Sequence, residues 1–497
     1  RVDEQEGVRE PQGMYANELS LLLSVVTAPK SVVKNLVECV GRAHIGVTAL
    51  IPSSIASGAG TLIDDEIENG AICIDMGAGV TAVSVYLNGS PAWLGLVPAG
   101  GSHVTSDLAQ GLGTTFAAAE RLKSVYGTAN LEGLARMADE LTSAFSILPG
   151  EITLEEPAPV TAVDAAGRET EVQNGRHFLL RVRPEAKRRF ILTGHMDTVF
   201  PADHPFQELT WLNEETLNGP GTADMKGGLA IILASLRALE GLTFWKRFGY
   251  DVLINADEET GSLSSAPLIE RTAKGKYAAL TFEPSATPEG TLAHARGGSG
   301  NYSLTVTGKS AHAGRNPHEG RNAIVAASTL AVRLKELQRE DISVNPAKID
   351  GGAANNVVPD HAILRFNIRP KTTEATEEFS RNLDALVQTL ASEHDLAVAL
   401  HGGISRPPKP VDEKAQKLFD LVRDTGAALG HTIGWQSTGG VCDGNNIAAN
   451  HVPVVDTMGV RGGKIHSPDE FMIAPSLTER AQLSAIVLHR LATGDML

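Results

Sequence analysis

Cysteine is scarce in this chain: three in 497 residues, Cys39, Cys73 and Cys442, odd in number and far apart. That argues against a disulfide scaffold and fits a reducing compartment. Aromatic residues are few, at 5%. No stretch approaches the ~18 uninterrupted apolar residues of a membrane helix, and the longer runs, such as 229–234, are far shorter. Positive charge is in deficit too. With 43 Lys+Arg against 59 Asp+Glu the formal net charge is -16, so the basic surface that nucleic acid or an anionic membrane requires is missing. Neither partner is expected. The first residue is Arg1, and residues 1–13 are polar without a hydrophobic core, so no signal peptide is read and a cytoplasmic location is the default.

What the chain does have is length and alternation. At ~150 residues per domain its length allows about three domains, and 42% hydrophobic with 21% charged residues is an ordinary globular composition. Up to about residue 126 the pattern predicts a strand over 19–26, a helix over 31–42, strands over 71–75 and 83–87, and a helix over 115–126 that stops at Gly127. Leu131, Leu134, Met137, Leu141 and Phe145 then share one face of an amphipathic helix. Beyond it, strands over 190–193, 250–255 and 278–282 alternate with a helix over 228–239. This α/β pattern predicts a largely parallel sheet covered by helices, with its chemistry at the strand ends.

From about Gly297 the texture changes to strand 302–307, helix 322–338, strand 363–368, helix 374–393 and strand 396–401, a two-layer α+β module. Pro407, Pro408 and Pro410 mark its exit, and a helix over 415–429 leads back to a strand near 454–457.

Metal-capable side chains follow those strands or sit in the turns beside them: His195 and Asp197 in Gly-His-Met-Asp-Thr, Asp224 in Ala-Asp-Met-Lys-Gly-Gly, Glu258 and Glu259 after Asp257, Glu283 in Phe-Glu-Pro, and His466 in Lys-Ile-His-Ser. Two imidazoles with three carboxylates suit zinc or a similar borderline divalent ion, whereas calcium or magnesium favours oxygen alone. Singly, each motif is weak: a His-x-Asp after a strand is ordinarily a hydrogen-bonded pair. Three successive carboxylates repel unless a cation sits among them or solvent bathes them. Their combination in one α/β frame decides the reading.

That combination resembles the di-zinc metallopeptidase family of glutamate carboxypeptidase, acetylornithine deacetylase and succinyl-diaminopimelate desuccinylase, over about residues 130–491. The resemblance implies two divalent metal ions, zinc first, with cobalt or manganese as substitutes. His195, Asp224 and Glu283 would hold one and Asp224, Glu259 and His466 the other, with Asp224 bridging. Asp197 would accept a hydrogen bond from the His195 imidazole, Glu258 would be the general base, and the Asp224–Met225 peptide bond would be cis. Glu258 and Glu259 can divide these roles because neighbours in extended chain point to opposite sides. The inserted module resembles the family's lid and dimerisation domain, implying a homodimer. Its His312 matches the histidine that reaches a partner subunit's site to stabilise an oxyanion, and Asn356 matches an asparagine that contacts substrate. Arg369 and Arg406 are candidates for gripping a substrate carboxylate bidentately. Cys442 reads as a small buried side chain rather than a nucleophile.

The sequence around Asp224, Glu283 and Arg406 leans towards glutamate carboxypeptidase, so small peptides or N-acyl amino acids ending in an acidic residue are the expected substrates, with N-acyl amino-acid deacylation as the related alternative. Residues 10–128 resemble part of the cell-division protein FtsA, an actin-like ATPase, through Ile74-Asp75-Met76-Gly77-Ala78-Gly79 and the Gly100-Gly101-Ser102-His103 stretch. That glycine turn approaches a phosphate or is a plain hairpin. The first lobe's phosphate loop and the adenosine-binding segment are absent, so no ATP binding is expected. The expected organisation is a partial actin-like fragment (1–128), a first catalytic part (129–295), a lid (296–405) and a second catalytic part (406–497). A cell-division scaffold acting through residues 1–128 is the reading from another class.

Overall fold

The computed structural model describes residues 129–201 and 204–494 and, nearer the N-terminus, 2–3, 8, 11–20, 27–43, 45–77, 79–87 and 89–99. The chain divides into two units, Arg1–Glu120 and Arg121–Leu497. The first contains helices α1 (Lys30–Arg42), α2 (Ser53–Thr61) and α3 (Asp64–Asn69), followed by strands β1 (Ala71–Met76), β2 (Thr81–Leu87) and β3 (Ser90–Val97) in one antiparallel sheet. Strand alternation sets its two faces. Ala82, Ser84 and Tyr86 of β2 are buried, with Ser84 Oγ donating to Ser54 O at 2.9 Å. Ile72, Ile74 and Met76 of β1 point outward, 62–73% exposed. Gly77 N–H donates to Val80 O at 2.9 Å and Met76 pairs with Thr81, so the glycine turn closes a hairpin. Most of the strand expected over 19–26, and the helix expected over 115–126, lie outside the described residues.

The second unit opens with α4 (Ala129–Phe145) and builds a six-stranded sheet from β4 (Glu151–Glu155), β5 (His177–Val182), β6 (Arg189–His195), β7 (Gly249–Asn255) and β8 (Ala278–Thr281), completed far along the chain by Val454–Val455. Helices α5 (Gly227–Glu240) and α6 (Ala266–Ala273) make the crossovers. The order is Val454–Val455, β8, β6, β7, β5, β4. The first four run parallel, while β5 and β4 add antiparallel at one border. The sheet is thus largely parallel, as expected, with an antiparallel border that the sequence reading did not include.

Both sheet faces are dry. Phe190 and Leu192 of β6 pack with Leu229, Ile232 and Leu236 of α5, while Ile191 turns the other way, towards Leu268 and Ile269 of α6. Such two-sided burial is why these strands read as continuous apolar runs.

The inserted module is a four-stranded antiparallel sheet backed by two helices: β9 (Ser299–Thr307), α7 (Ala323–Glu336), β10 (Ile342–Gly351), β11 (His361–Pro370), α8 (Thr373–His394) and β12 (Ala397–Arg406), in the strand order β10, β11, β9, β12. Its core is separate from that of the six-stranded sheet. The edge strand β10 was not read from sequence, because Asn345, Pro346 and Lys348 interrupt its apolar pattern, as an edge allows. After the module come α9 (Glu413–Ala428), α10 (Asp443–Ala448), strand β13 (Val454–Val455) and α11 (Pro475–Thr493). Among the described residues, no helix is long and apolar enough to cross a membrane.

Candidate metal centre

Parallel neighbours end at the same edge, and register decides which residues meet there. β6 lies between β7 and β8, with His195 level with Asn255 and Thr193 level with Thr281. His195 therefore ends its strand beside the Asp257–Glu259 turn on one side and Glu283, two residues past β8, on the other. Asp224 comes from the turn entering α5, where the Asp224–Met225 bond is cis. The helix start sits tight against β8: a Cβ on Gly228 would lie 2.1 Å from Phe282 O. His466 arrives from a C-terminal loop with positive φ at Lys464 (53°) and His466 (64°), the left-handed region that side chains seldom adopt.

Asp224 sits between the two imidazoles. Its Oδ1 is 3.1 Å from His195 Nε2 and its Oδ2 is 3.2 Å from His466 Nε2. Glu283 Oε2 lies 3.7 Å from His195 Nε2, and Glu259 Oε2 lies 3.3 Å from His466 Nε2. His195 Nδ1 faces the Asp197 carbonyl oxygen at 3.0 Å. That contact places a proton on Nδ1 and turns Nε2 towards Asp224 and Glu283. The expected partner was the Asp197 carboxylate, which stands farther off at 3.4 Å; Oδ2 of that carboxylate instead accepts the Glu259 N–H at 2.9 Å.

The centre has too many carboxylates for its cations. His195 is 1% exposed and Asp224 6%, whereas the His466 side chain is half exposed, so the site opens on that side. Burial pushes Glu283 up to about 7 and raises Glu258 and Glu259. Burial would lower His195, but Glu283, Asp197 and Asp224 carry it well above the usual histidine range. The Asp224 and Glu259 carboxylates raise His466 to about 10. Protons are thus held where a divalent ion would sit. One ligand atom each of His195, Asp224 and Glu259, and likewise of His195, Glu258 and Glu283, lies within 4.8 Å of the others. The donor set fits a pair of divalent cations.

The three adjacent carboxylates separate cleanly. Asp257 Oδ2 accepts Ser264 N–H (2.7 Å), Ser264 Oγ (2.8 Å) and Ser265 N–H (3.2 Å), pinning its own loop. Glu259 turns to His466. Glu258 turns to Arg406, whose Nη2 lies 2.9 Å from its Oε1. Arg406 is 1% exposed, with both terminal nitrogens bonded to the protein and only Nε without a partner among the described residues, which corrects its reading as a substrate clamp: the fork that would grip a carboxylate is already taken. Arg369 is exposed on β11, with Nε donating to Asn367 Oδ1 at 3.0 Å. His312 is exposed in a short strand paired with Val357–Val358, and its Nδ1 accepts the N–H groups of Gly314 and Arg315 at 3.1 and 3.2 Å. The proton of His312 is therefore on Nε2. Asn356 is exposed close by, its carbonyl accepting Ala313 N–H at 2.9 Å. Cys442 is 2% exposed and burial pushes its thiol well up, leaving an inert side chain.

Sequence reading missed two carboxylates. Glu470 accepts the N–H groups of Ala223 and Asp224, both at 3.0 Å. Asp443 lies behind Arg406 at 3.2 Å. No local pattern marks either one.

A family model described as Peptidase family M20/M25/M40 matches residues 191–490, and one described as Cell division protein FtsA matches residues 72–227. Carboxypeptidase G2 of Pseudomonas sp. (strain RS-16) is 28% identical over 377 residues, covering 74% of this chain and 86% of that protein. FtsA of Agrobacterium fabrum is 42% identical over 161 residues, 32% of this chain, and the chain spans only 35% of FtsA's length. In fold, the second unit's likeness extends to the aminopeptidase PepT of Bacillus cereus, with a TM-score of 0.56 at 20% identity, covering 78% of this chain and 99% of the other.

Proposed function

The chain belongs to peptidase family M20/M25/M40, hydrolases of peptide and amide C–N bonds, and on that premise we propose that it cleaves an amide bond to release an acidic amino acid, glutamate first among them, from a small peptide or N-acyl conjugate. The observation that carries the reading is Asp224, one oxygen turned to each imidazole. His195, Asp224 and Glu283 would hold one divalent ion and Asp224, Glu259 and His466 the other. When bound there, such ions, zinc in the first instance, supply a water that ionises near neutral pH and an electrophile for the carbonyl.

The chain's own groups do the rest. Glu258, which lies with Glu259 in a turn rather than in extended chain and faces Arg406 while Glu259 faces His466, takes the proton of the attacking water and returns it to the leaving amine. Asp197 holds the Glu259 N–H and so fixes the turn between them. His312, with its proton on Nε2, is suited to donate to a developing oxyanion, and Asn356 beside it to orient the substrate amide. The lid that carries them would supply His312 across a homodimer. The preference for glutamate is what the glutamate-carboxypeptidase-like sequence around Asp224 and Glu283 implies, and a carboxypeptidase among the relatives supports the release of a C-terminal residue.

The test is hydrolysis of N-acyl-glutamates by the full chain loaded with zinc or cobalt. Glu258→Gln is expected to lower kcat by about 10²–10⁴-fold while binding as much metal as wild type. Mixing that variant with His312→Ala should restore part of the activity if the histidine serves its partner's site. Wild-type and Glu258→Gln rates that coincide would remove the general-base reading, and no recovery on mixing would remove the shared site.

A further inference from the structure

The lid's last strand ends inside the catalytic machinery. Along β12 the pairing with β9 slips by one residue: Ser299 pairs with Arg406 but Gly300 with Ile404, leaving Ser405 as the extra residue of a bulge. Bulges bend a strand and re-aim the side chain beside them. Here the re-aimed side chain is Arg406. Its Nη2 donates to Glu258 Oε1 at 2.9 Å and to Ser262 Oγ at 2.6 Å, and its Nη1 donates to Gly261 O at 3.0 Å.

Behind it Asp443, 1% exposed at the start of α10, lies 3.2 Å from Arg406 Nη2. Asp443 Oδ1 accepts from Ser262 Oγ at 2.6 Å and Oδ2 from Asn255 Nδ2 at 2.8 Å, so strand β7, its following turn and α10 are knotted around one guanidinium. A buried ion pair is weak evidence for stability, because desolvation offsets much of its attraction. Its location is the informative part. Even with Oε1 held by Arg406, Glu258 keeps an oxygen within 4.8 Å of ligand atoms of His195 and Glu283, and a carboxylate that close to a divalent ion will ligate it unless it is restrained.

We infer that Arg406, delivered by the Ser405 bulge and anchored by Asp443, is the positioning residue that keeps Glu258 out of the metal coordination sphere and free to move a proton. The inference rests on the two-metal, general-base reading above. Arg406 touches neither substrate nor metal in this role; it acts through Glu258.

The experiment uses the full chain loaded with cobalt(II), assayed on N-benzoyl-glutamate and by visible absorption, in Arg406→Met, Arg406→Lys and Asp443→Asn variants. Arg406→Met should lower kcat about 10²-fold with KM little changed, and shift the cobalt spectrum as a new oxygen ligand enters. Adding Glu258→Gln to Arg406→Met should return the spectrum towards wild type. Arg406→Lys should recover most of the rate, and the near-isosteric Asp443→Asn, the variant least prone to misfold, should lose about tenfold in kcat. A raised KM at unchanged kcat would instead make Arg406 a substrate clamp and overturn the inference, as would an unaltered cobalt spectrum in Arg406→Met. If Glu258→Gln alone keeps full activity, the general-base reading fails by itself, and the spectra still report whether Arg406 restrains Glu258.

Discussion

Glu470 Oε1 accepts the backbone N–H of Asp224 at 3.0 Å, four residues along the chain from His466. The loop that brings one metal-facing imidazole therefore also holds the turn presenting the carboxylate between the two imidazoles. Removing that acceptor strands the N–H groups of Ala223 and Asp224, both buried. Glu470→Ala should cost about 3 kcal/mol, read from urea unfolding, and weaken metal binding, whereas Glu470→Gln, which keeps a carbonyl acceptor, should lose much less. Equal stability of Glu470→Ala and wild type would show that water replaces the carboxylate without loss.

Asp224 and His466 should differ in how much metal they control. Asp224→Ala removes a ligand from both positions and is expected to abolish tight binding of both ions, measured by metal analysis after gel filtration. His466→Ala leaves His195, Asp224 and Glu283 in place and should keep close to one ion per chain. Retention of two ions by Asp224→Ala would rule out a shared bridging carboxylate.

The metal-free protein should lose stability as pH rises. Glu283 is raised from 4.5 to about 7 and His466 from 6.5 to about 10. Both bind protons more tightly folded than unfolded, so their contribution is complete below the unfolded values and fades as pH climbs through the folded ones. The windows run from 4.5 to about 7 and from 6.5 to about 10. A bound cation takes the place of those protons. The gap in Tm between zinc-loaded and metal-free protein should therefore widen across this range, as scanning calorimetry would record; a constant gap would mean the protons and the metal do not share a site.

Much of this centre could be read before any coordinates. The strands ending at His195, Asn255 and Thr281 announce themselves as apolar runs because helices cover both their faces, and the polar residues just past them are conspicuous for that reason. The hairpin border strands, β4 and β5, were not foreseen: Glu151–Glu155 is half polar, and His177 opens the other strand as a buried side chain that propensity alone does not place. Arg406 was misjudged for a related cause. Its partners Glu258, Gly261 and Asp443 are 148, 145 and 37 positions away, and a bulge sets its direction. Arginine near a proline cluster looks the same in sequence whether it faces a ligand or a buried carboxylate.

The unequal exposure of the two imidazoles has a kinetic consequence. His195 is sealed under the sheet edge while half of the His466 side chain meets solvent, so a chelator would strip the outer cation well before the inner one. Dialysis interrupted early should leave a half-loaded species with its remaining ion among His195, Asp224 and Glu283, the position slower to exchange in either direction.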